Sequence, residues 1–227
     1  KKTNVAIRDY CAEILSYLES SPYIIGGSAD LKGSTKTGFN IDLKDGGKNI
    51  KYGIREFAMS AINNGIYLAS NLRTIDSTFL AFSDYAKGAL RLGAIMKIPS
   101  IHVYSHDSYQ VGGDGPTHQP YDQLTMLRAI DNFRVIRPCD ESEVLYAFNY
   151  ALNQNDKQIA IITARQNLCS YNKCDNKAAY VIKQCNNFDI SLLASGSEVS
   201  LAYELANDLI NKNIKAQVIS VPILQDL

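Results

Sequence analysis

Two histidines, His106 and His118, bracket a glycine-rich loop that also carries Asp114. Glycine and proline residues allow tight turns in such a loop, so polar side chains can be presented inward over a short length of chain. An imidazole can donate or accept a hydrogen bond and can exchange a proton near neutral pH. A histidine taken alone is more often structural, but two on one loop with an aspartate between them suit the binding of a polyhydroxylated substrate.

A glutamate and three aromatic residues could also do chemistry, although each has a simpler interpretation. Glu56 opens a predicted helix, where a carboxylate interacts favourably with the helix dipole, typically by about 0.3 to 1 kcal/mol. Phe79, Phe82 and Tyr85 recur at intervals of three. An aromatic stripe with this spacing is more often part of a helix core than a platform for a cofactor. The residues alone therefore leave both interpretations open.

The composition excludes several classes of protein. The 227 residues contain 23 lysines and arginines and 23 aspartates and glutamates, so the formal net charge is zero. No overall field draws the chain toward nucleic acid or an anionic membrane, and a bound anion must be held by local groups. No apolar run approaches the roughly 20 residues of a membrane helix. These features predict a cytoplasmic protein without a membrane or nucleic-acid partner.

The cysteines do not indicate a disulfide framework or a zinc site. Their number is odd, and their spacing lacks the paired pattern of structural zinc sites. We therefore expect all of them to be reduced and without a structural role. The five are Cys11, Cys139, Cys169, Cys174 and Cys185.

The apolar pattern predicts helices alternating with strands, which indicates an α/β fold with a parallel sheet flanked by helices. Gly26-Gly27 predicts a tight turn after the first strand, and Asp140 with Glu143 predicts a capping box before a later helix. The predicted strands are 23–25, 50–54, 101–105, 134–137 and 159–163. The predicted helices are 5–18, one with an apolar face at 58–69, 82–97, one beginning at 121 and one between the last two strands.

A second, smaller unit is predicted near the end of the chain. The polar stretch 166–177 breaks the apolar pattern, and strand 190–194, helix 198–210 and strand 217–221 then form one βαβ crossover. Such a unit is too small to cover a sheet on both faces, so we expect an incomplete second α/β domain. The predicted divisions are a domain at 1–170, a linker at 171–188 and the beginning of a second domain at 189–227.

Three motifs follow predicted strands, at the edge where open parallel sheets bind ligands. Together with Ser77-Thr78-Phe79-Leu80 and Arg165-Gln166-Asn167-Leu168, they resemble the pyrimidine-binding domain of transketolases over residues 1–170. Ala194-Ser195-Gly196-Ser197-Glu198-Val199 resembles the opening of the C-terminal domain of that family. The histidine loop and the Arg-Glu motif are the specific parts of the resemblance. The three motifs are Gly26-Gly27-Ser28-Ala29-Asp30, Arg55-Glu56-Phe57-Ala58-Met59, and His106-Asp107-Ser108 through Asp114-Gly115-Pro116-Thr117-His118-Gln119-Pro120.

The resemblance implies thiamine diphosphate as the cofactor. Glu56 matches the glutamate that hydrogen-bonds a ring nitrogen of the aminopyrimidine and favours its imino tautomer, a role that needs a water-poor site. Phe79, Phe82 and Tyr85 match the aromatic residues that enclose this ring, with Phe82 stacking on it. Asp30 matches a family position near the cofactor.

The resemblance also assigns residues to a sugar-phosphate substrate. His118 matches the histidine near the reacting carbonyl, and Asp114 matches a residue that contacts a sugar hydroxyl. The loop departs from the family at Gly113, where a glutamate is common, and at Tyr109-Gln110. Arginine offers a planar fork of donors that fits phosphate oxygens. The positions implied around the phosphate are Arg8, Ser34, His106 and Arg165.

The implied activity is that of a transketolase of the pentose phosphate pathway, within carbohydrate metabolism. This transferase moves a two-carbon ketol unit reversibly from a ketose phosphate to an aldose phosphate. Family enzymes are homodimers with sites at the interface, and they hold the diphosphate and its Mg²⁺ on a separate domain. We therefore expect no metal ligand in this chain and no activity from the chain alone.

Two alternatives have the same fold. A related thiamine-diphosphate enzyme, such as a deoxyxylulose-phosphate synthase or the β subunit of a pyruvate dehydrogenase, is disfavoured by the run 114–120 and by the two arginines. A non-catalytic interaction module is the other alternative, since fold does not imply function. Retention of Glu56, both loop histidines and both arginines argues against it.

Overall fold

The computed structural model describes residues 4–171 and 173–227, and its main feature is a six-stranded parallel sheet. The strands are β1 (Asn4–Ala6), β2 (Ile24–Ser28), β3 (Asn49–Lys51), β4 (Arg73–Phe79), β5 (Ile101–Ser105), β6 (Phe133–Ile136), β7 (Gln158–Thr163), β8 (Asn167–Cys169), β9 (Tyr180–Lys183), β10 (Ile190–Ala194) and β11 (Ala216–Ser220). In the large sheet their order is β3-β2-β4-β5-β7-β6, with all neighbours parallel. The predicted α/β fold with a parallel sheet is confirmed.

Helices cover both faces of this sheet. Side chains alternate between the faces of a strand, and Val103 of β5 packs in a core with α1 and α6, whereas its neighbour Tyr104 packs with α4 and α5. The bounds are α1 (Ile7–Leu18), α2 (Lys32–Thr35), α3 (Glu56–Ser70), α4 (Ser83–Ile95), α5 (Gln123–Arg128), α6 (Glu141–Leu152) and α7 (Glu198–Ile210).

Helix α3 buries polar residues, and the apolar stripe suggested by its sequence is largely exposed. Ile62, in the middle of that stripe, is 47% exposed, whereas Asn63 beside it is fully buried. Asn63 Nδ2 donates to Asp76 Oδ2 over 2.7 Å, and the other Asp76 oxygen lies 2.8 Å from His102 Nδ1. Because β4 and β5 present polar side chains toward α3, its inward face must be polar too. The remaining residues of the predicted stripe are Ala58, Ala61, Gly65 and Ala69.

Two predicted details at the start of the chain are wrong. The first helix begins at Ile7 rather than Val5, because Asn4–Ala6 pairs antiparallel with Asn167–Cys169. Gly26-Gly27 lies within β2 rather than in a turn. A Cβ on Gly26 would lie 1.7 Å from the Ile75 carbonyl oxygen, and one on Gly27 would lie 1.9 Å from that of Ile50. The glycines are therefore required by close contact with β4 and β3, not by a turn.

The smaller unit at the end of the chain contains the predicted βαβ crossover and one strand more. Strands β10 and β11 are parallel, and α7 packs against both. Strand β9, within the segment 171–188 that was predicted as a linker, pairs antiparallel with β11. Strand β9 has only four residues, which alternate between buried and half-buried. So short a pattern is too weak to predict a strand from the sequence.

A buried glutamate joins the two units. Asp140 caps α6 by accepting from the Glu143 N–H over 3.1 Å, but the Glu143 carboxylate accepts from the Cys139 N–H rather than completing the predicted capping box. The same carboxylate accepts hydrogen bonds from the hydroxyls of Tyr180 and Ser220, in β9 and β11. These contacts explain why Glu143 has no exposed surface.

Candidate functional site

Four parallel strands end at one edge of the large sheet, and each carries or precedes a predicted site residue there. Ligands of open parallel sheets bind at this edge. Asp30 and His106 have left-handed backbone conformations, with φ of 62° and 63°. Such values are uncommon outside glycine and often occur where a side chain must be aimed at a site. In strand order along the chain, the four residues are Asp30 after β2, Phe79 at the end of β4, His106 after β5 and Arg165 after β7.

His106 is held between aromatic and cationic groups and is only 3% exposed. Its ring stacks on Phe79 with a centroid distance of 3.8 Å, and its Nδ1 lies 2.8 Å from Ser105 Oγ. Burial, and after it the charges of Arg8 and Arg165, lower the pKa of His106 to about 4, although Asp114 acts in the opposite direction. The imidazole is therefore neutral at pH 7 and acts as a hydrogen-bonding group rather than a cation.

Arg8 and Arg165, which we call the arginine pair, lie close to His106. Arg8 Nη1 donates to the Ser34 carbonyl oxygen over 2.7 Å, so Ser34 contributes its main chain to this geometry. Burial lowers the pKa of Arg8, Asp9 raises it, and the charge of Arg165 lowers it again. In the part of the chain that the structure describes, neither arginine forms an ion pair with a carboxylate. Two neighbouring cations without a carboxylate partner are suited to binding an anion.

The aromatic residues lie beside the second loop histidine. Phe79 is 4% exposed and lies 5.7 Å from Phe82 in a stacked arrangement. Phe82 is half-buried, and its ring meets the His118 ring edge-on at 5.0 Å. Tyr85 follows at 6.2 Å from Phe82 and is 67% exposed. The Phe82 ring is thus partly exposed, while the Phe79 ring packs against both Phe82 and His106.

Glu56 begins α3 and is only 6% exposed. Thr78 Oγ1 donates to Glu56 Oε1 over 3.4 Å, which is long for a hydrogen bond between oxygens. Thr78 and Phe79 are consecutive in β4, so their side chains point to opposite faces of the sheet. Glu56 therefore reaches the edge from the α3 face, and His106 reaches it from the α1 face. The carboxyl group has the water-poor position that the sequence analysis required.

The two predicted aspartates are exposed. Asp114 lies on the histidine loop, where its charge raises the pKa of His106. Asp30 lines a small cleft with Ser28, Lys51 and Gly53, between the ends of β2 and β3. Both carboxylates are therefore accessible from solvent.

One buried charged group that contacts the histidine loop was not predicted from the sequence. Arg137 follows β6, and its guanidinium lies 2.8 Å from a carboxylate oxygen of Asp107, the residue after His106. Glu198, the first residue of α7, lies 2.8 Å from the same guanidinium. Asp107 and Glu198 both belong to motifs named in the resemblance, but the sequence around Arg137 does not indicate that this residue is buried between them.

Other features of the described residues concern cysteines, metals and membranes. All five cysteines are free. Within 4–171 and 173–227, no three His, Cys, Asp or Glu side chains are grouped so that they could hold a metal ion. No helix in these ranges has the length and apolar character needed to cross a membrane.

Comparisons with known proteins agree with this geometry. Residues 3–170 match the family described as the transketolase pyrimidine-binding domain, and residues 178–227 match the transketolase-like C-terminal domain. The transketolase of Mycoplasma pneumoniae is 44% identical over 229 residues, which cover 97% of this chain and 35% of that protein. The crystal structure of Campylobacter jejuni transketolase has a TM-score of 0.93 and 42% identity, covering 98% of this chain and 36% of that one.

A second solved structure shows a relative with a sugar phosphate. The Pichia stipitis transketolase in complex with sedoheptulose-7-phosphate has a TM-score of 0.93 and 38% identity, covering 98% of this chain and 35% of that one. The chain thus spans 35% of the length of the M. pneumoniae relative. Since the pyrimidine-domain match alone covers most of its residues, the chain belongs to the transketolase family.

Proposed function

We propose that this chain is the part of a transketolase that activates the aminopyrimidine of thiamine diphosphate and binds the phosphate end of the substrate. The complete enzyme would transfer a two-carbon ketol unit between a ketose phosphate and an aldose phosphate, as the pentose phosphate pathway requires. Residues 1–170 would form the pyrimidine-binding domain and residues 189–227 the start of the C-terminal domain. The complete enzyme would work in the cytoplasm, which the five free cysteines support.

The observation that carries this proposal is the arginine pair beside a neutral His106. Neither guanidinium of the pair has a carboxylate partner among the described residues, which favours a dianionic ligand group. The buried imidazole adds a hydrogen-bond donor or acceptor without adding repulsion. A sugar phosphate supplies both the dianion and hydroxyl groups. On the same loop, His118 would lie near the reacting carbonyl and Asp114 would contact a sugar hydroxyl.

Glu56 and the neighbouring aromatic residues fit an aminopyrimidine ring. Glu56 would hold a ring nitrogen through its buried carboxyl group, and Phe82 would stack on the ring, supported by Phe79 and flanked by Tyr85. Asp30 would line the entrance from the neighbouring strand end. Thiamine diphosphate, when bound, supplies the electron sink for cleavage of a carbon–carbon bond beside a carbonyl group.

The diphosphate and its Mg²⁺ need ligands from elsewhere. The only Gly-Asp-Gly sequence, Gly113-Asp114-Gly115, lies in the histidine loop, where we assign Asp114 to substrate. We place the diphosphate and metal ligands in the part of a transketolase that this chain does not span, on the same polypeptide or on another chain. Mg²⁺ is usually held by few carboxylates together with phosphate oxygens.

A homodimer with the site at its interface is supported by exposed apolar side chains beside the site. Ile54 and Phe57, next to Glu56, are 79% and 54% exposed, and Leu68 at the other end of α3 is 62% exposed. On α4, Leu92 and Ile95 are 50% and 58% exposed. Large apolar patches on soluble domains mark interaction surfaces, so we assign this surface to a second copy.

The function is tested in the complete enzyme with Glu56→Gln. Wild type should transfer a ketol unit between phosphorylated sugars, and the variant should slow exchange of the cofactor's thiazolium proton by roughly 100-fold or more. Thermal unfolding should change little, since glutamine keeps the size of the side chain. Unchanged exchange in a folded variant would reject the role of Glu56, and release of CO₂ from pyruvate without ketol transfer would favour the synthase alternative.

A further inference from the structure

Arg137 connects the histidine loop to the second unit through two ion pairs. One guanidinium nitrogen lies 2.8 Å from Asp107 Oδ2, and another lies 2.8 Å from Glu198 Oε2. The side chains of Arg137 and Asp107 are 8% and 1% exposed, whereas that of Glu198 is 47% exposed. We call these three residues the Arg137 triad. Its members come from the loop after β5, the residue after β6 and the first turn of α7.

The position of the guanidinium is strongly constrained. Burial lowers the pKa of Arg137, but the charges of Asp107 and Glu198 outweigh this effect and raise it. The Arg137 carbonyl oxygen accepts from the Gly196 N–H over 3.0 Å, and the Arg137 N–H donates to the Pro222 carbonyl oxygen over 3.0 Å. The second unit is therefore attached to Arg137 through its main chain as well as through Glu198.

Gly196 shows how closely the second unit approaches Arg137. Its φ is +60°, and a Cβ at this position would lie 3.2 Å from the guanidinium carbon. A larger residue would be disfavoured in this conformation and would press on the Arg137 side chain. The turn before α7 therefore packs closely against the Arg137 guanidinium group.

The Arg137 triad is connected to His106 through the main chain of Asp107. Asp107 is the next residue, and His106 has the left-handed conformation that is disfavoured for any residue with a Cβ. Such a conformation persists only where the surrounding structure holds it. Phe79 and Ser105 contact the imidazole ring, but the ion pair of Asp107 is the contact that fixes the chain immediately after it.

We propose that Arg137 is a positioning residue: by holding Asp107 it keeps His106 between Phe79 and the arginine pair, and through Glu198 it makes this geometry depend on the second unit. This role rests on the proposed function of His106 in binding the substrate phosphate. It explains why a charged group is kept in a nearly dry location between two units, where an apolar side chain would avoid the loss of hydration.

The test uses the complete enzyme with Arg137→Met combined with Asp107→Asn. This pair removes both buried charges together, so the loss of stability expected from a lone buried carboxylate is avoided. The matched control is Arg134→Met, because Arg134 lies on β6, just before Arg137, and pairs with Asp226 of the second unit at 2.7 Å. We expect the double variant to raise KM for the sugar phosphate about tenfold with a smaller change in kcat, and the control to leave both unchanged.

A second readout is independent of activity. Carbethoxylation of His106 by diethyl pyrocarbonate, measured on the isolated peptide by mass spectrometry, reports how well Phe79 and the loop shield the ring. We expect labelling of His106 to be several-fold faster in the double variant and intermediate in Glu198→Gln and Arg137→Lys, because lysine lacks the fork that reaches both carboxylates. Arg134→Met should label at the wild-type rate.

The outcomes separate this inference from the proposed function. If the folded double variant has the KM and the His106 labelling rate of wild type, the positioning role of Arg137 is overturned. A raised KM with an unchanged labelling rate of His106 would also overturn it. If the double variant fails to fold, the labelling rates of Glu198→Gln and Arg137→Lys decide, and rates equal to wild type in both would overturn it. If the complete enzyme lacks ketol transfer, the proposed function fails, but faster labelling in these variants would still support the positioning role.

Discussion

The arginine pair and Arg137 lie near the same edge of the sheet and differ in what neutralises their charges. Arg8 and Arg165 have no carboxylate partner among the described residues, and burial together with their mutual repulsion lowers the pKa of Arg8. Arg137 is more deeply buried but has two carboxylates at 2.8 Å. The arginine pair therefore needs a negative charge, which a ligand can supply, whereas the charge of Arg137 is already neutralised by its two carboxylate partners. This contrast supports the proposals that the arginine pair binds an anion and that the Arg137 triad positions the histidine loop.

Removing Arg137 alone should have the largest effect on stability. Arg137→Met leaves Asp107 buried without a partner, and breaking a buried ion pair in this way costs about 3 to 5 kcal/mol. Arg134→Met, which breaks a partly exposed pair, should cost about 1 kcal/mol or less. Urea unfolding of both variants measures the difference. Equal losses would show that the triad is not the buried, internally neutralised group described above.

The pH dependence of stability should report on the environment of His106. Its pKa in the folded chain, about 4, lies below the ordinary value of 6.5, because burial and then the arginine pair disfavour the charged ring. The unfolded chain takes up this proton more readily, so the contribution to the free energy of unfolding is fully present above pH 6.5 and is lost as the pH falls toward 4.

The measurement is urea unfolding of wild type and His106→Gln at several pH values across this window. We expect the wild-type free energy of unfolding to fall more steeply with decreasing pH than that of the variant. Parallel curves would mean that His106 is not held near the arginine pair in its neutral form.

Gly113→Glu should have the smallest effect. A Cβ on Gly113 would meet no atom within 4 Å, so the glutamate that is common in the family fits without strain. The free energy of unfolding should change by no more than about 0.5 kcal/mol, as for most surface substitutions. Thermal unfolding checks this, and a larger loss would show that glycine is structurally required at this position of the loop.

Some of this organisation was predictable because it is local. The bounds of β5 and α7 follow from apolar periodicity and agree with the predicted ranges. The resemblance named Arg8, His106 and Arg165 as one group, and the structure brings them together. Their proximity could not come from the spacing alone, since Arg8 and Arg165 lie at opposite ends of the first unit.

The remaining features depend on contacts between distant parts of the chain. The polar face of α3 reflects Asp76 and His102 on the strands beneath it, and β9 is defined by its pairing with β11. Arg137 is recognisable only once Asp107 and Glu198 are seen to meet there. In each of these cases the partner residue lies outside the sequence window in which a pattern can be read.

The central claim is that the arginine pair binds the phosphate of the substrate. The most direct measurement compares kcat/KM for a phosphorylated sugar and its unphosphorylated analogue in the complete enzyme, for wild type, Arg8→Ala, Arg165→Ala and the control Arg134→Ala. Each arginine of the pair should lose about 1.5 to 3 kcal/mol of transition-state stabilisation with the phosphorylated sugar and much less with the analogue, and the control should lose neither. Equal losses with both sugars would contradict the claim and would assign the two arginines to structure or cofactor instead.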